Sequence, residues 1–188
     1  MPGSSLRLTS ENMPPVTIRP ATPSDIPAIT RIYAHAVAHG TASFEFAPPD
    51  EAEMRGRMQA LLDGNFPYLV AEADGMIVGY AYAGLYRTRP GYRWTVEDSV
   101  YIAPDRQRRG IGRALLDGLI AAATARDFRQ MIAVIGDPPH QGPSIELHAA
   151  AGFQQVGLLA NTGFKFGRWC DSLLMQRALG DGARTPPR

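Results

Sequence analysis

The 188-residue chain is nearly without cysteine: Cys170 stands alone, which excludes an intramolecular disulfide framework and any Cys-rich zinc site. It also lacks long apolar runs. No stretch approaches the ~18 consecutive apolar residues of a membrane span, and the N-terminus has no basic-then-apolar signal pattern. Neither sign of charge is in excess. With 19 Lys+Arg against 18 Asp+Glu the net charge is +1, so no overall field draws the protein to nucleic acid or to a membrane. The four histidines, His35, His39, His140 and His148, show no ligand spacing of the His-Glu-x-x-His kind, and no metal is expected. Repeats and low-complexity tracts are missing. What remains is ordinary globular composition, 45% apolar and 20% charged, in a length that suits one domain able to bury a core without staples. A lone thiol suits the reducing cytoplasm.

Residues 1–15 are Ser/Pro-rich and read as a disordered tail, residues 16–179 as a single domain, and residues 180–188 as a second tail. Within the domain, 16–20 is a short strand. Ser24 is placed to cap a helix reaching about His39, with Ile26, Ile29, Ile32, Tyr33, Ala36 and Val37 on one stripe. Asp50 caps a second helix to about Leu62, whose buried side is Met54, Met58, Leu61 and Leu62. The β-prone runs 68–73 and 76–86 are split by Asp74-Gly75, a hairpin turn signal. Strand 94–102 ends at Pro104. An apolar-striped helix over 110–126, a buried strand over 131–135 and a helix over 143–151 closed by Gly152 follow. Residues 154–176 read as two strands around 163–167. This order predicts an α/β protein with a mixed, twisted sheet and helices on both faces.

The segment 96–116 is the most informative. A strand runs into a loop bearing Arg106, Arg108, Arg109 and Arg113, and then into a helix opening at Gly110-Ile111-Gly112. The unpaired N–H groups of a first helical turn, with the helix dipole behind them, favour an anion. Glycines remove the Cβ atoms that would hold a diphosphate off the backbone. No Gly-Lys-Ser/Thr follows, so this is not a P-loop, and Leu115 stands where a dinucleotide fingerprint has its third glycine. The alternative for the same glycines is close helix–sheet packing, with the arginines solvated.

The run Gln107-Arg108-Arg109-Gly110-Ile111-Gly112 resembles the Gln/Arg-x-x-Gly-x-Gly/Ala signature of the GCN5-related N-acetyltransferases. Further stretches extend the match in order: 93–102 (RWTVEDSVYI), 133–136 (AVIG), 144–148 (SIELH), Gly152-Phe153 and 163–169 (GFKFGRW). Together they resemble the phosphinothricin acetyltransferase subgroup over residues 16–179. The resemblance implies the acyl-CoA N-acyltransferase fold, acetyl-CoA as co-substrate, and a small amine or amino acid as acceptor. It implies that Gln107, Arg108, Arg109, Gly110, Ile111, Gly112 and Arg113 surround the pyrophosphate. It also implies that the pantetheine arm lies along Val100, Tyr101 and Ile102 like an added strand.

Acetyl transfer to an amine needs a base for the ammonium, polarisation of the thioester carbonyl and stabilisation of the departing thiolate. Glu97 and Asp98 are neighbours on a strand and so point to opposite faces. The resemblance selects Glu97 as general base and His148 as acid–base partner to the thiolate. The family's usual Asn in the loop before the Ser-x-x-x-His helix is missing from 137–143, which leaves His140, Gln141 or Ser144 to replace its cofactor contact. By resemblance Phe44, Arg87, Arg89, Tyr92 and Tyr101 line the acceptor pocket. The arginine forks suit a carboxylate or a tetrahedral phosphinate or sulfone end. Arginines there disfavour a polyamine, and an aromatic loop disfavours a protein N-terminus or lysine. A non-catalytic acetyl-CoA-binding module would not require Glu97 and His148. A short basic cluster without interleaved aromatics disfavours nucleic acid. A homodimer, with the C-terminal strands near Trp169 in contact, is implied by resemblance alone.

Overall fold

The computed structural model describes residues 15–187; the sequence-predicted N-terminal tail therefore lies, but for Pro15, outside the described residues. The elements are β1 (Thr17–Pro20), α1 (Ile26–His39), α2 (Glu51–Asp63), β2 (Tyr68–Ala73), β3 (Met76–Leu85), β4 (Thr95–Ile102), α3 (Ile111–Ala125), β5 (Gln130–Gly136), α4 (Gly142–Ala150), β6 (Gln154–Lys165) and β7 (Arg168–Ala178). The seven strands form one sheet in the order β1-β2-β3-β4-β5-β7-β6. Every pairing is antiparallel except β4 with β5. The mixed α/β architecture follows the predicted element order closely.

Two apolar layers sandwich the sheet. On one face Leu115, Leu116 and Leu119 of α3 pack with Val96, Met131, Ala133 and Met175. On the other Ile26, Ile29 and Tyr33 of α1 and Met54 and Met58 of α2 pack with Val70 and Tyr80. Full burial of such side chains contributes about 1.5–3 kcal/mol each. Leu62, predicted to be buried, is 37% exposed: it stands in the last turn of α2 at the margin of the Met54, Met58 and Leu61 stripe, and Leu61 takes the core contact there.

The local signals also resolve. Asp50 caps α2 by accepting from Glu53 N at 2.8 Å. Before α1 the chain makes a 3-10 turn at Pro23–Asp25, so Ser24 lies inside the turn. Asp25, not Ser24, carries the junction: its carboxylate accepts from Thr22 N at 2.8 Å and from both terminal nitrogens of Arg19 at 2.8 Å. Asp74 and Gly75 both have positive φ (51° and 70°), as do Phe166 and Gly167 (51° and 76°), the geometry of two-residue hairpin turns. At the C-terminus, Gly182 N donates to Leu179 O at 2.8 Å and Arg129 Nη1 donates to Thr185 Oγ1 at 3.1 Å, so part of the predicted second tail is tied to the start of β5. No helix among the described residues is long and apolar enough to cross a membrane.

β4 pairs with β3 from Val96 to Ile102, yet with β5 only over Thr95–Asp98 against Gln130–Ala133. Beyond Asp98 and Ala133 the two parallel strands separate. Ser99–Ile102 on one side and Val134–Gly136 on the other therefore present backbone that no neighbouring strand takes up across the gap.

Candidate active site

The gap between β4 and β5 holds a narrow cavity of about 60 Å³, walled by Ser99, Val100 and Tyr101 on β4 and by Val134 to Gly136 on β5. Asp98 forms its closed end, and Gln141, Ser144 and His148 of the α4 segment cover it. A group inserted here meets strand backbone on both sides. Of the three candidates for the missing Asn, Gln141 and Ser144 reach the cavity. His140 is turned to the surface and pairs with Asp137 at 3.1 Å. A larger open groove of about 710 Å³ lies around Arg113, Gly152, Gln176 and Arg177, and none of the predicted catalytic residues lines it.

Strand alternation separates the two carboxylates as predicted. Asp98 shares the α3/α4 face with Val96 and is buried, while Glu97 shares the α1/α2 face with Ser99 and Tyr101. Burial and the neighbouring Asp98 charge push the Glu97 carboxyl above its ordinary value, which makes it a stronger base than a solvated glutamate. Tyr101 closes the inner wall, edge-on to Tyr33 at 5.1 Å and stacked on Tyr80 at 5.2 Å. Tyr33 in turn donates to Glu45 Oε1 at 2.8 Å.

His148 lies across the sheet from Glu97. Its Nε2 is 3.0 Å from Asp98 Oδ2 and its Nδ1 is 2.7 Å from the Ser144 carbonyl oxygen. Phe153 packs edge-on against the ring at 5.0 Å. Both partners are ordinarily acceptors. Burial by itself would lower the pKa, but the hydrogen bond and charge of Asp98, with the Ser144 carbonyl, outweigh it and raise the pKa. Asp98 received no role from the sequence beyond facing away from Glu97.

The start of α3 lies beyond the far end of β4. Gly110 is its N-cap with φ 76°, no side chain caps it, and an added Cβ there would meet nothing within 4 Å. The first-turn amides of a 15-residue helix thus open outward beside the exposed Gln107, Arg108 and Arg109. Gly112 has a different reason: a Cβ there would approach Leu147 of α4 to 3.3 Å, so it serves helix packing. Ile111 is buried in the core. Arg113, predicted as a cofactor contact, is committed to Asp117 (2.6 Å) and to the Ala150 carbonyl (3.0 Å), which ties α3 to α4 and turns its guanidinium from the opening.

The predicted acceptor residues fall into two groups. Arg87 lies over the rings of Tyr86 and Tyr92, at 5.1 and 5.8 Å, in an exposed loop joining β3 to β4; Arg89 is exposed beside it. That loop leaves the sheet at Leu85, which pairs with Val96, one register position beyond Gly84 and its partner Glu97. Phe44 is placed differently: its ring sits against Gly136 and Gly163, fastening the 40–46 loop over the end of β5. Three anchors hold this loop. Lys165 Nζ donates to Ser43 O at 2.6 Å, Thr41 Oγ1 donates to Asp137 Oδ2 at 3.0 Å, and Gln141 Nε2 donates to Thr41 Oγ1 at 3.3 Å. Among the described residues no cluster of three or more His, Cys, Asp or Glu side chains is arranged to hold a metal.

A sheet parted between two parallel strands, with an open helix N-terminus beyond it, defines a class. The chain matches the acetyltransferase (GNAT) domain family over residues 18–174 and belongs to it. It is 56% identical over 171 residues to the phosphinothricin N-acetyltransferase of Alcaligenes faecalis, covering 91% of this chain and 86% of that protein. It is 39% identical over 168 residues to the L-methionine sulfoximine/L-methionine sulfone acetyltransferase of Salmonella typhimurium, covering 89% and 97%. Among solved structures, a GNAT superfamily phosphinothricin acetyltransferase from Sinorhizobium meliloti in complex with AcCoA superposes with a TM-score of 0.89. It has 47% sequence identity and covers 92% of this chain and 93% of its own.

Proposed function

We propose that the protein transfers the acetyl group of acetyl-CoA to the amine of a small amino acid-like acceptor of the phosphinothricin, methionine sulfone or methionine sulfoximine type. The observation that carries the reading is the parting of β4 from β5 beyond Asp98 and Ala133, with Glu97 beside it and the open Gly110 turn at its outer end. The relatives named above support the acceptor class. The residues suit the co-substrate: unpaired strand backbone for an amide-bearing arm, and an uncapped helix N-terminus with Arg108 and Arg109 for a diphosphate.

In this reading Glu97 accepts a proton from the acceptor ammonium and passes it to solvent. The freed amine attacks the thioester carbonyl, whose oxygen gathers charge against strand amides. The attacking nitrogen, now cationic in the tetrahedral adduct, gives a second proton to the emptied Glu97 carboxylate or to water; the C–S bond breaks, the neutral amide is left, and the thiolate takes a proton from water. His148 contributes charge. Direct donation by its ring, as the resemblance implies, would first have to break the bond to Asp98 or to Ser144. Arg87 and Arg89 would receive the acidic end of the acceptor.

A thiol-release screen of acetyl-CoA against phosphinothricin, methionine sulfone, methionine sulfoximine, a polyamine and a peptide tests the reading. Turnover confined to the polyamine or peptide would overturn the acceptor class, and cofactor binding without turnover of any amine would leave only a binding module. Replacing Arg87 and Arg89 together by Ala is expected to raise KM for the amino acid and not for acetyl-CoA.

A homodimer, working in the reducing cytoplasm, completes the proposal. β6 is a 12-residue edge strand exposed almost throughout, and Val156, Leu158, Leu159, Phe164, Phe166 and Trp169 are 44–61% exposed on it, on its hairpin turn and on its partner strand. A long, apolar edge left bare is a pairing surface, and a second copy supplies the matching edge. Light scattering should give twice the chain mass, with Leu158→Lys returning the monomer.

A further inference from the structure

We propose that Asp98 is a positioning residue for the reaction: it holds the His148 ring as a fixed imidazolium at the closed end of the β4–β5 gap, so that His148 acts on the leaving thiolate as a positive charge and not as a mobile proton donor. This rests on the acetyltransfer reading above.

The geometry gives the protonation state. A neutral imidazole carries one N–H and one lone pair, so it can satisfy a carbonyl oxygen or a carboxylate at one nitrogen but not at both. His148 faces Ser144 O at 2.7 Å through Nδ1 and Asp98 Oδ2 at 3.0 Å through Nε2, and neither partner ordinarily donates. The Ser144 hydroxyl, 3.5 Å from Nδ1, is too distant to change the count. The side chains of the pair are 5% and 1% exposed, so the bond between them is screened little by bulk solvent. The groups acting on the ring are Asp98 from β4, the Ser144 carbonyl from its own helix and the apolar Phe153 ring beyond it. Glu97, the preceding residue of β4, lies on the opposite face and is not among the groups acting on the ring.

Place gives the pair its function. Asp98 is the last β4 residue in register with β5, opposite Ala133, so the pair sits where the strands begin to part. Both residues line the cavity, and α4 brings Ser144 and Gln141 to the same wall. The pair therefore fixes α4 to the sheet at the point where a thioester inserted into the gap would release sulfur. A charge that cannot turn or lose its proton there favours the thiolate without reorganisation during the reaction.

The test joins two readouts. In the wild-type protein, long-range 1H–15N spectra of the imidazole rings, with His148 assigned by comparison with His148→Gln, should show both nitrogens protonated at pH 7. A neutral His148 at pH 7 would overturn the proposal, and this measurement needs neither a variant of Asp98 nor any turnover. In Asp98→Asn, which keeps the shape and removes the charge, His148 should titrate at lower pH. The kcat should fall roughly 10²-fold, the order seen when one transition-state donor is removed, while KM for acetyl-CoA stays within about twofold. An unchanged kcat and an unshifted pH profile would overturn it. Absence of turnover by the wild-type enzyme with every amine would refute the acetyltransfer reading instead, and leaves the ring protonation to be judged by the spectra.

Discussion

Gly163 and the Phe44 ring are mutually required. A Cβ at position 163 would lie 2.2 Å from the ring, and one at position 136 would lie 2.9 Å from its far edge and 2.7 Å from Thr41 O. The ring is therefore gripped by two strands whose side chains have been removed to admit it, and the 40–46 loop is fastened over the C-terminal end of β5 at the edge of the candidate site. Gly163→Ala should expel the ring and destabilise the protein by about 1–3 kcal/mol, the usual cost of overpacking. Phe44→Ala in the same background should recover part of that loss. A double-mutant cycle by thermal unfolding measures it, and simple additivity would refute the fit described here.

Glu97 carries the proton chemistry of the proposed reaction. Glu97→Gln should lower kcat roughly 10²–10⁴-fold and remove the acidic limb of the pH–rate profile. In the wild-type enzyme that limb should fall above the ordinary glutamate value, because burial and the Asp98 charge raise the carboxyl. The sign for stability is the reverse of that for a paired carboxylate. A folded-state pKa above the unfolded one means that stability is lost as pH rises from the unfolded value through the folded one. Glu97→Gln should therefore be at least as stable as wild type at pH 7 by chemical unfolding. A variant both active and less stable would contradict this assignment.

The fold was largely legible because its signals are local. Asp74-Gly75 dictates one hairpin, Asp50 caps α2, and the 3.6-residue stripes of α1 and α3 mark their buried faces. Alternation along β4 is enough to place Glu97 and Asp98 on opposite faces. The unread features depend on distant partners. Phe44 finds its place from Gly136 and Gly163, each more than 90 residues away in sequence. Arg113 has charge and spacing suited to an anion, yet it turns to α4, whose position the sequence does not give. His148 could be nominated by type, but its two acceptors come from β4 and from its own helix backbone, and only their convergence fixes its protonation.

Gly110 and Gly112 have separate physical reasons, so their substitutions should separate. At Gly110 an added Cβ meets open space, and the obstacle is the backbone at φ 76°, which favours glycine by about 1 kcal/mol. Gly110→Ala should therefore raise KM for acetyl-CoA several-fold through a displaced first turn, with little change in melting temperature. At Gly112 the helical backbone is ordinary and the obstacle is Leu147 at 3.3 Å. Gly112→Ala should shift α4 slightly and alter stability as well as KM. Titration calorimetry with coenzyme A and thermal unfolding of both variants would decide. Equal coenzyme A affinity in Gly110→Ala and wild type would remove this turn from the proposed diphosphate site.

Asp137 gathers the loops around the site into one ion-pair network. Its carboxylate, 4% exposed, accepts from Arg168 Nη1 at 3.0 Å, from Thr41 Oγ1 at 3.0 Å and from His140 Nδ1 at 3.1 Å. The Arg168 guanidinium, with His140 and Thr41, holds the carboxyl well below the usual carboxylate range although burial opposes this. A depressed folded-state pKa gives stability that is present above the unfolded value and lost as pH falls below it. Asp137 also has φ 57°, a conformation that Asn tolerates nearly as well as Asp, so Asp137→Asn removes the charge while sparing the backbone. Chemical unfolding at pH 7 and pH 3 should find the variant less stable at pH 7 and should find the gap to wild type narrowed at pH 3. The loosened 40–46 loop should raise KM for the acceptor. A gap that stays constant between the two pH values would show that the charge of Asp137 has no part in holding the loop.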